Sequence, residues 1–353
     1  MNEFKQYLDK DQLQQWQESV GNAQKIVLLG HVSPDGDAIG STLGMASYLK
    51  HIGKTTAVIV PNMLPNFLTW LPGADDIIIG EFHLEIVEKK LQDCDLIMLL
   101  DLNDPTRLDR LTEAVTNAQK PFLVIDHHLA PKTEGISLLV SDPAACSTCE
   151  IVFSLLWQLG AWAEMDTDCA TCIYCGMMTD TGALSYNSHR PEIFAIISEL
   201  LKKGIDKDAI YRNVYYTFSI DRLRLQGYVL YNKTQFFEEG RVAVFALSRE
   251  ELQEFNFRRG DAEGLINLPL QVKETVLTIS LREDLEADKI RVSIRSIGNI
   301  PCNLIAQRFF NGGGHANAAG GTLYGMKCDQ AIEIAKQAIA AFRDTLPATD
   351  KQE

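Results

Sequence analysis

Three short runs constrain the fold more than anything else in the chain: KIVLLG (25–30), DLIMLL (95–100) and PFLVI (121–125). Each is apolar at consecutive rather than alternating positions, so each predicts a strand buried on both faces. TTAVIV (55–60) is read as a further strand. Helical patterns lie between them: AIGSTLGMASYLKHIG (38–53) ended by Gly53, a stretch at 84–92, and RLDRLTEAV (107–115). Alternation of this kind predicts an α/β fold, a doubly wound parallel sheet with helices on both faces. From about residue 190 the pattern changes. Residues 191–235 read as helical, and RVAVFAL (241–247) opens a second region. There TVLTISLRE (275–283) and KIRVSIRS (289–296) predict a hairpin with alternating faces. A Gly-rich turn, NGGGHANAAGG (311–321), and a helix, CDQAIEIAKQAIAAFRDTL, follow. The expected organisation is an N-terminal domain at 1–190, a helical linker at 191–237 and a smaller α+β domain at 238–345. A chain of 353 residues is long enough to build two cores.

The formal net charge of −14 argues against a broad grip on long nucleic acid, which needs a positive surface to displace counterions. A small anionic ligand stays compatible with that charge, above all where metal cations lie between it and the protein. No apolar run reaches the length of a membrane span, and MNEFKQYLDKDQLQQWQESV lacks the apolar centre of a signal peptide. That N-terminal stretch reads as an amphipathic helix, and the expected location is cytoplasmic. Of the eight cysteines, Cys146 and Cys149 form one C-x-x-C, and Cys169, Cys172 and Cys175 a C-x-x-C-x-x-C. Spacings of three within helical sequence place thiols along one helix face, where cysteine packs as a small apolar residue. That reading is preferred to a zinc or iron–sulfur site and to a disulfide framework.

Ligands of open parallel sheets bind at the carboxyl ends of the strands. After KIVLLG come His31, Asp35 and Asp37; after DLIMLL comes Asp101; after PFLVI come Asp126, His127 and His128; near the end of CIYCGMMTDTGALSY lies Asp180. Taken singly, each has an ordinary explanation. Asp37 could be a helix cap, and a lone histidine a satisfied core residue. Together, five aspartates and three histidines converge on one sheet edge. Mixed carboxylate and imidazole donors without thiolate suit Mn²⁺, Mg²⁺, Fe²⁺ or Co²⁺. There are donors enough for two ions, which, bridged by a carboxylate, activate water for displacement at phosphorus. In GHVSPDGDAIGS, Pro34 and the glycines tighten the turn, and Gly36 can take a positive φ between two ligands.

GGGH (312–315) is followed by no G-K-[ST] and is not a Walker loop. Successive glycines can present backbone N–H groups as an anion nest, His315 adds a donor, and Arg295 can pair with a phosphate. Gly312, Gly313, Gly314, His315 and Arg295 are the expected phosphate clamp.

HVSPDGD, LLDLND, IDHH and MMTDTGALSY together resemble the four motifs of the DHH phosphoesterase superfamily. GGGHANAAGG resembles the signature of its DHH-associated C-terminal domain. The likeness spans roughly residues 15 to 340. It implies that His31, Asp35 and Asp101 hold one Mn²⁺, and that Asp37, Asp101, His127 and Asp180 hold a second, with Asp101 bridging. It implies that His128 faces the scissile phosphate while Asp126 orients a histidine. Asn311 stands where the family often has glycine, and asparagine tolerates a left-handed backbone. The chain lacks the extra domains of the large single-strand exonucleases, and membrane and sensory segments; GGGH separates it from the manganese pyrophosphatases. It is similar to the stand-alone branch that pairs oligoribonuclease activity with 3′-phosphoadenosine 5′-phosphate phosphatase activity. That likeness implies hydrolysis of short RNA oligonucleotides to nucleoside 5′-monophosphates, with the C-terminal domain limiting substrate length. The alternatives are a linear or cyclic dinucleotide phosphodiesterase on the same site, and a nucleotide sensor without turnover. Expected partners are short RNA or phosphorylated nucleotides, without long duplex or membrane; a homodimer is the default assembly.

Overall fold

The computed structural model describes residues 4–258, 260–262 and 264–347; Met1–Glu3, where the N-terminal helix reading begins, lie outside the described residues. The chain forms two compact units, Met1–Thr217 and Phe218–Glu353. The helical stretch after residue 190 is shared between them.

The first unit runs α1 (Lys10–Asn22), β1 (Lys25–Leu29), α2 (Gly36–His51), β2 (Thr55–Val60), β3 (Ile78–Ile79), α3 (Leu84–Asp93) and β4 (Leu96–Leu100). A 3₁₀ segment (Pro105–Leu111), α4 (Thr112–Asn117), β5 (Phe122–Asp126), β6 (Leu138–Ser141), α5 (Thr148–Gln158), α6 (Thr167–Asp180), α7 (Pro191–Lys202) and α8 (Lys207–Tyr215) follow. The six strands pair in parallel in the order β3-β2-β1-β4-β5-β6. Both faces are buried, as the continuous apolar runs require. Leu28, Met98 and Ile125 pack with residues of α2, α5 and α6, while Val27, Leu29, Ile97 and Val124 pack with Val87 and Leu91 of α3. Strand order reverses between β1 and β4, and that reversal opens a crevice at their carboxyl ends.

Glycine lets α2 and α6 approach closely. A Cβ on Gly36 would lie 2.2 Å from Thr179 Oγ1, one on Gly40 2.4 Å from the Cys172 carbonyl oxygen, and one on Gly176 2.2 Å from Cys149 Sγ. This corrects the expectation for Gly36. It is the first residue of α2 and does not take positive φ; within the turn that role falls to Ser33 at φ 54°. RLDRLTEAV is also not one helix. The 3₁₀ segment breaks at Asp109, at φ 51°, before α4 begins. Cys146, Cys149, Cys169, Cys172 and Cys175 are all buried in the core, with their thiols pushed up by burial. No described helix is long and apolar enough to cross a membrane.

The second unit contains α9 (Ile220–Tyr228), β7 (Gln235–Phe237), β8 (Val242–Leu247), α10 (Arg249–Glu254), β9 (Leu277–Glu283) and β10 (Lys289–Ser296). It ends with α11 (Cys302–Phe309), β11 (Gly313–Gly314), β12 (Ala318–Tyr324) and α12 (Cys328–Ala341). Its sheet has the order β11-β12-β10-β9-β8-β7, with β8 and β9 parallel and the other neighbours antiparallel. The expected hairpin is β9–β10. The Gly-rich stretch is a strand pair rather than a turn: Gly313 lies opposite Gly320 and Gly314 opposite Ala319. A Cβ on Gly312 would lie 1.9 Å from the Gly320 carbonyl oxygen, so glycine is needed there for the neighbouring strand to approach. The buried Glu283 accepts from the Arg249 N–H at 3.0 Å and the Cys328 N–H at 3.3 Å, joining the N-termini of α10 and α12.

Candidate metal centre

The crevice between β1 and β4 collects the acidic and imidazole side chains. His31 follows β1 directly and is buried. Its Nδ1–H donates to the Val32 carbonyl at 2.8 Å, which fixes the tautomer and turns Nε2 inward. That Nε2 lies 3.3 Å from Asp101 Oδ2 and 3.8 Å from Asp35 Oδ2. Asp35 does two things at once. Its Oδ1 caps α2, accepting from the N–H groups of Asp37 and Ala38 at 3.1 and 3.0 Å. Its Oδ2 is the oxygen facing His31. Thus Asp35, not Asp37, is the cap.

Asp37 sits in the first turn of α2 and serves another helix. Its two oxygens accept from the Thr148 and Cys149 N–H groups at 2.6 and 2.9 Å, at the N-terminus of α5. Asp101 leaves β4 with φ 62°, a left-handed conformation rare for residues other than glycine, asparagine and aspartate. Its Oδ1 accepts from Thr148 Oγ1 at 3.0 Å. His127 donates from Nδ1 to the Ala145 carbonyl at 3.4 Å, and its Nε2 lies 3.5 Å from Asp180 Oδ2, 3.6 Å from Asp101 Oδ1 and 3.8 Å from Asp37 Oδ2. Asp180 closes α6. Asp126, fully buried at the end of β5, accepts from the His128 N–H at 3.0 Å and from His128 Nδ1–H at 2.7 Å.

Three groups therefore converge: His31, Asp35 and Asp101; Asp37, His127 and Asp180; and Asp101, His127 and His128, each with donor atoms within 4.8 Å of one another. Apart from the long His31–Asp101 hydrogen bond at 3.3 Å, the separations of 3.5–3.8 Å from His31 and His127 to their carboxylates exceed a hydrogen bond. They match the spacing of donors around one ion, since ligands at about 2.1 Å in an octahedral shell stand roughly 3 Å apart. The electrostatics fit a cation as well. Burial and the charge of Asp101 push the Asp37 carboxyl up, and burial and Asp37 push Asp180 up. Burial also opposes ionisation of Asp101, but the His31 hydrogen bond and the His31, His127 and His128 charges outweigh it and hold that carboxyl low. Burial works against a charged His31, yet its bond to Asp101 and the charges of Asp35 and Asp101 push it up to about 9. The cluster is a set of carboxylates short of positive charge, and a divalent ion supplies what protons otherwise would. Among the described residues, none of the groups able to hold a metal contains a cysteine.

All eight residues, seven read from the strand ends and Asp180 from a helix end, thus meet here. The expected clamp residues lie in the second unit. Arg295, on β10, donates from Nη1 to the carbonyls of Ile294 at 3.0 Å and Ala319 at 3.5 Å. The Gly312 N–H is taken by the Ala306 carbonyl at 3.2 Å and the His315 N–H by the Ala318 carbonyl at 2.8 Å. A nest that uses all four amides of GGGH is therefore not formed; two of them already have protein acceptors. His315 itself is exposed, and Asn311 takes φ 47°. Two residues carried no sequence signal. Thr148 binds both Asp37 and Asp101, and Arg107 donates from Nη1 to His128 Nε2 at 3.0 Å. Thr148 reads as an ordinary first-turn residue, and Arg107 as a surface cation of a helix.

Residues 25–177 match the DHH family N-terminal domain and residues 239–341 the DHHA1 domain. The chain belongs to the DHH family. It is 32% identical over 315 residues to the bifunctional oligoribonuclease and PAP phosphatase NrnA of Thermus thermophilus, covering 89% of each chain. It is 25% identical to the cyclic-di-AMP phosphodiesterase GdpP of Bacillus subtilis over 92% of this chain, which spans 49% of that protein. Among solved structures, an exopolyphosphatase-related protein from Bacteroides fragilis superposes with a TM-score of 0.93 at 42% identity, over 97% of this chain and 99% of that one.

Proposed function

We propose that this chain is a two-metal, Mn²⁺-dependent phosphoesterase that hydrolyses short RNA oligonucleotides to nucleoside 5′-monophosphates and 3′-phosphoadenosine 5′-phosphate to AMP. Three overlapping donor groups carry the reading: two share Asp101, and His127 links the third to them. Likeness to an oligoribonuclease and PAP phosphatase along 89% of both chains supports the substrate class. His31, Asp35 and Asp101 would hold one ion; Asp37, Asp101, His127 and Asp180 would hold the other. Bound there, the ions would supply Lewis acidity toward a phosphoryl oxygen and lower the pKa of water.

The protein's own groups prepare that site. The carbonyls of Val32 and Ala145 hold protons on Nδ1 of His31 and His127, leaving both Nε2 lone pairs for ligation. Thr148 and the α5 N-terminus fix Asp37 and Asp101, so neither carboxylate reorganises during turnover. Asp126 keeps a proton on His128 Nδ1. A second proton, on Nε2, is the one His128 would give to the departing ribose oxygen. Arg295, Gly313, Gly314 and the His315 side chain are the proposed phosphate contacts of the second unit; Gly312, whose N–H is taken by the Ala306 carbonyl, is not among them. The likeness to a cyclic-di-AMP phosphodiesterase over 92% of the chain favours a second reading, cyclic dinucleotides as the main substrate.

The test is turnover by metal-stripped protein re-supplied with Mn²⁺ and offered an RNA dinucleotide, a long RNA, 3′-phosphoadenosine 5′-phosphate and a cyclic dinucleotide in parallel. Mn²⁺-dependent cleavage of the RNA dinucleotide and of 3′-phosphoadenosine 5′-phosphate is expected. Cleavage of the cyclic substrate alone selects the second reading, and cleavage of the long RNA alone contradicts both.

A further inference from the structure

Arg107 stands in the 3₁₀ segment after β4, and its guanidinium keeps unusual company. Five carboxylates belong to the site, yet among the described residues Arg107 forms an ion pair with none of them. Its Nη1–H donates instead to a neutral acceptor, Nε2 of His128, at 3.0 Å. The same residue's carbonyl accepts from the Val32 N–H at 2.8 Å, so the segment is fastened to the turn that carries His31. The remaining guanidinium N–H groups have no acceptor among the described residues. An arginine held beside the acidic centre with most of its planar fork unspent matches a tetrahedral anion, which accepts such a fork through two oxygens.

We propose that Arg107 is a substrate-binding residue of the reaction: its guanidinium donates to a non-bridging oxygen of the phosphate being cleaved. The proposal rests on the hydrolase reading above and adds a contact that neither the strand-end residues nor the GGGH clamp supplies. His128 and Arg107 then face the same phosphate from one side. The bond between them orders both groups before substrate arrives. When the guanidinium turns to the phosphate oxygen, His128 Nε2 is freed to take a proton from solvent, the one it would then give to the leaving oxygen. The contact recognises phosphate rather than base, so it serves every substrate of the site alike.

The experiment uses the full chain loaded with Mn²⁺, as wild type, R107Q and R107K. The substrates are an RNA dinucleotide and its two phosphorothioate diastereomers at the scissile phosphate. R107Q should lose about 10²–10³ in kcat/KM, the usual cost of one donor to a charged transition state. Its Mn²⁺ affinity and thermal midpoint should stay at the wild-type values, and R107K should recover part of the rate. For one diastereomer the sulfur penalty should be smaller in R107Q than in wild type, because the contact that sulfur weakens is already gone. A residue acting only through His128 would leave the sulfur penalties unchanged, and that result overturns the proposal. So does R107Q activity within about threefold of wild type, or a loss that tracks weaker Mn²⁺ binding. If R107Q melts early, R107K, which keeps the stem and the charge, carries the same diastereomer comparison. A wild-type chain that binds Mn²⁺ but leaves every phosphate substrate intact defeats the hydrolase reading and this contact with it.

Discussion

Asp101 carries more of the site than any other residue. It is buried and left-handed, faces His31 through one oxygen, and faces His127 and Thr148 through the other. Asp101→Asn keeps the shape and removes the charge shared by two donor groups. It should abolish Mn²⁺-dependent turnover and lower the thermal midpoint of the metal-free chain, since the buried His31 and His127 lose a paired carboxylate. Thr148→Val removes only the hydroxyl that orients Asp101. Such supporting partners typically affect metal affinity or rate by 10–100-fold, and a fall in that range is expected in steady-state kinetics with Mn²⁺ near half-saturation. The chemistry-bearing side chains were legible because carboxylates and imidazoles recur at strand ends, where a parallel sheet gathers them. Thr148 and Arg107 were not legible. Their importance comes from what they touch across the fold, and nothing in STCEIVF or RLDRLTEAV marks that.

Among the elements, the crossing of α2 with α6 sets how closely Asp37 and Asp180 can approach. Gly176 permits it, because a Cβ there would meet Cys149 Sγ at 2.2 Å and Asp37 Oδ1 at 3.1 Å. Gly176→Ala should destabilise the first unit by about 1–3 kcal/mol in chemical denaturation. Cys149→Ala in the same chain should return part of that loss, and fully additive costs would show that the contact is not the cause. In the second unit, the β9–β10 hairpin is pinned by Asp284, which accepts from Arg291 Nε at 2.8 Å and from the N–H groups of Glu286 and Ala287 at 3.1 and 3.2 Å. Burial works against ionisation of Asp284, but these bonds win and bring its carboxyl down to about 2. A carboxyl lowered on folding adds stability above its unfolded pKa, near 4, and loses it as the pH falls through 2. Denaturation midpoints should therefore drop between pH 4 and 2, and Asp284→Asn should flatten part of that drop. The long strands and helices followed from periodicity. β3 and β6 were missed because runs of two and four residues, apolar though they are, are too short to show a period. The glycine-rich strand β11 was read as a turn because glycine marks close backbone approach as often as it marks a bend.

At the scale of the molecule, a parallel sheet whose order reverses between β1 and β4 explains why His31 and Asp101 come together from positions 70 residues apart in the chain. Alternating strands and helices made that fold readable, and strand-end aspartates made its crevice readable. The sharing of Asp101 between donor groups was implied in the sequence only by the family resemblance, and the side chains show which of its oxygens faces which histidine. That shared carboxylate is the centre of the account, and Mn²⁺ titration of the metal-stripped chain, followed by calorimetry with electron paramagnetic resonance of the same samples, tests it directly. The account predicts two Mn²⁺ per chain, with a spectrum of exchange-coupled ions that is lost in Asp101→Asn. A single uncoupled ion per chain, or coupling that survives Asp101→Asn, would contradict it.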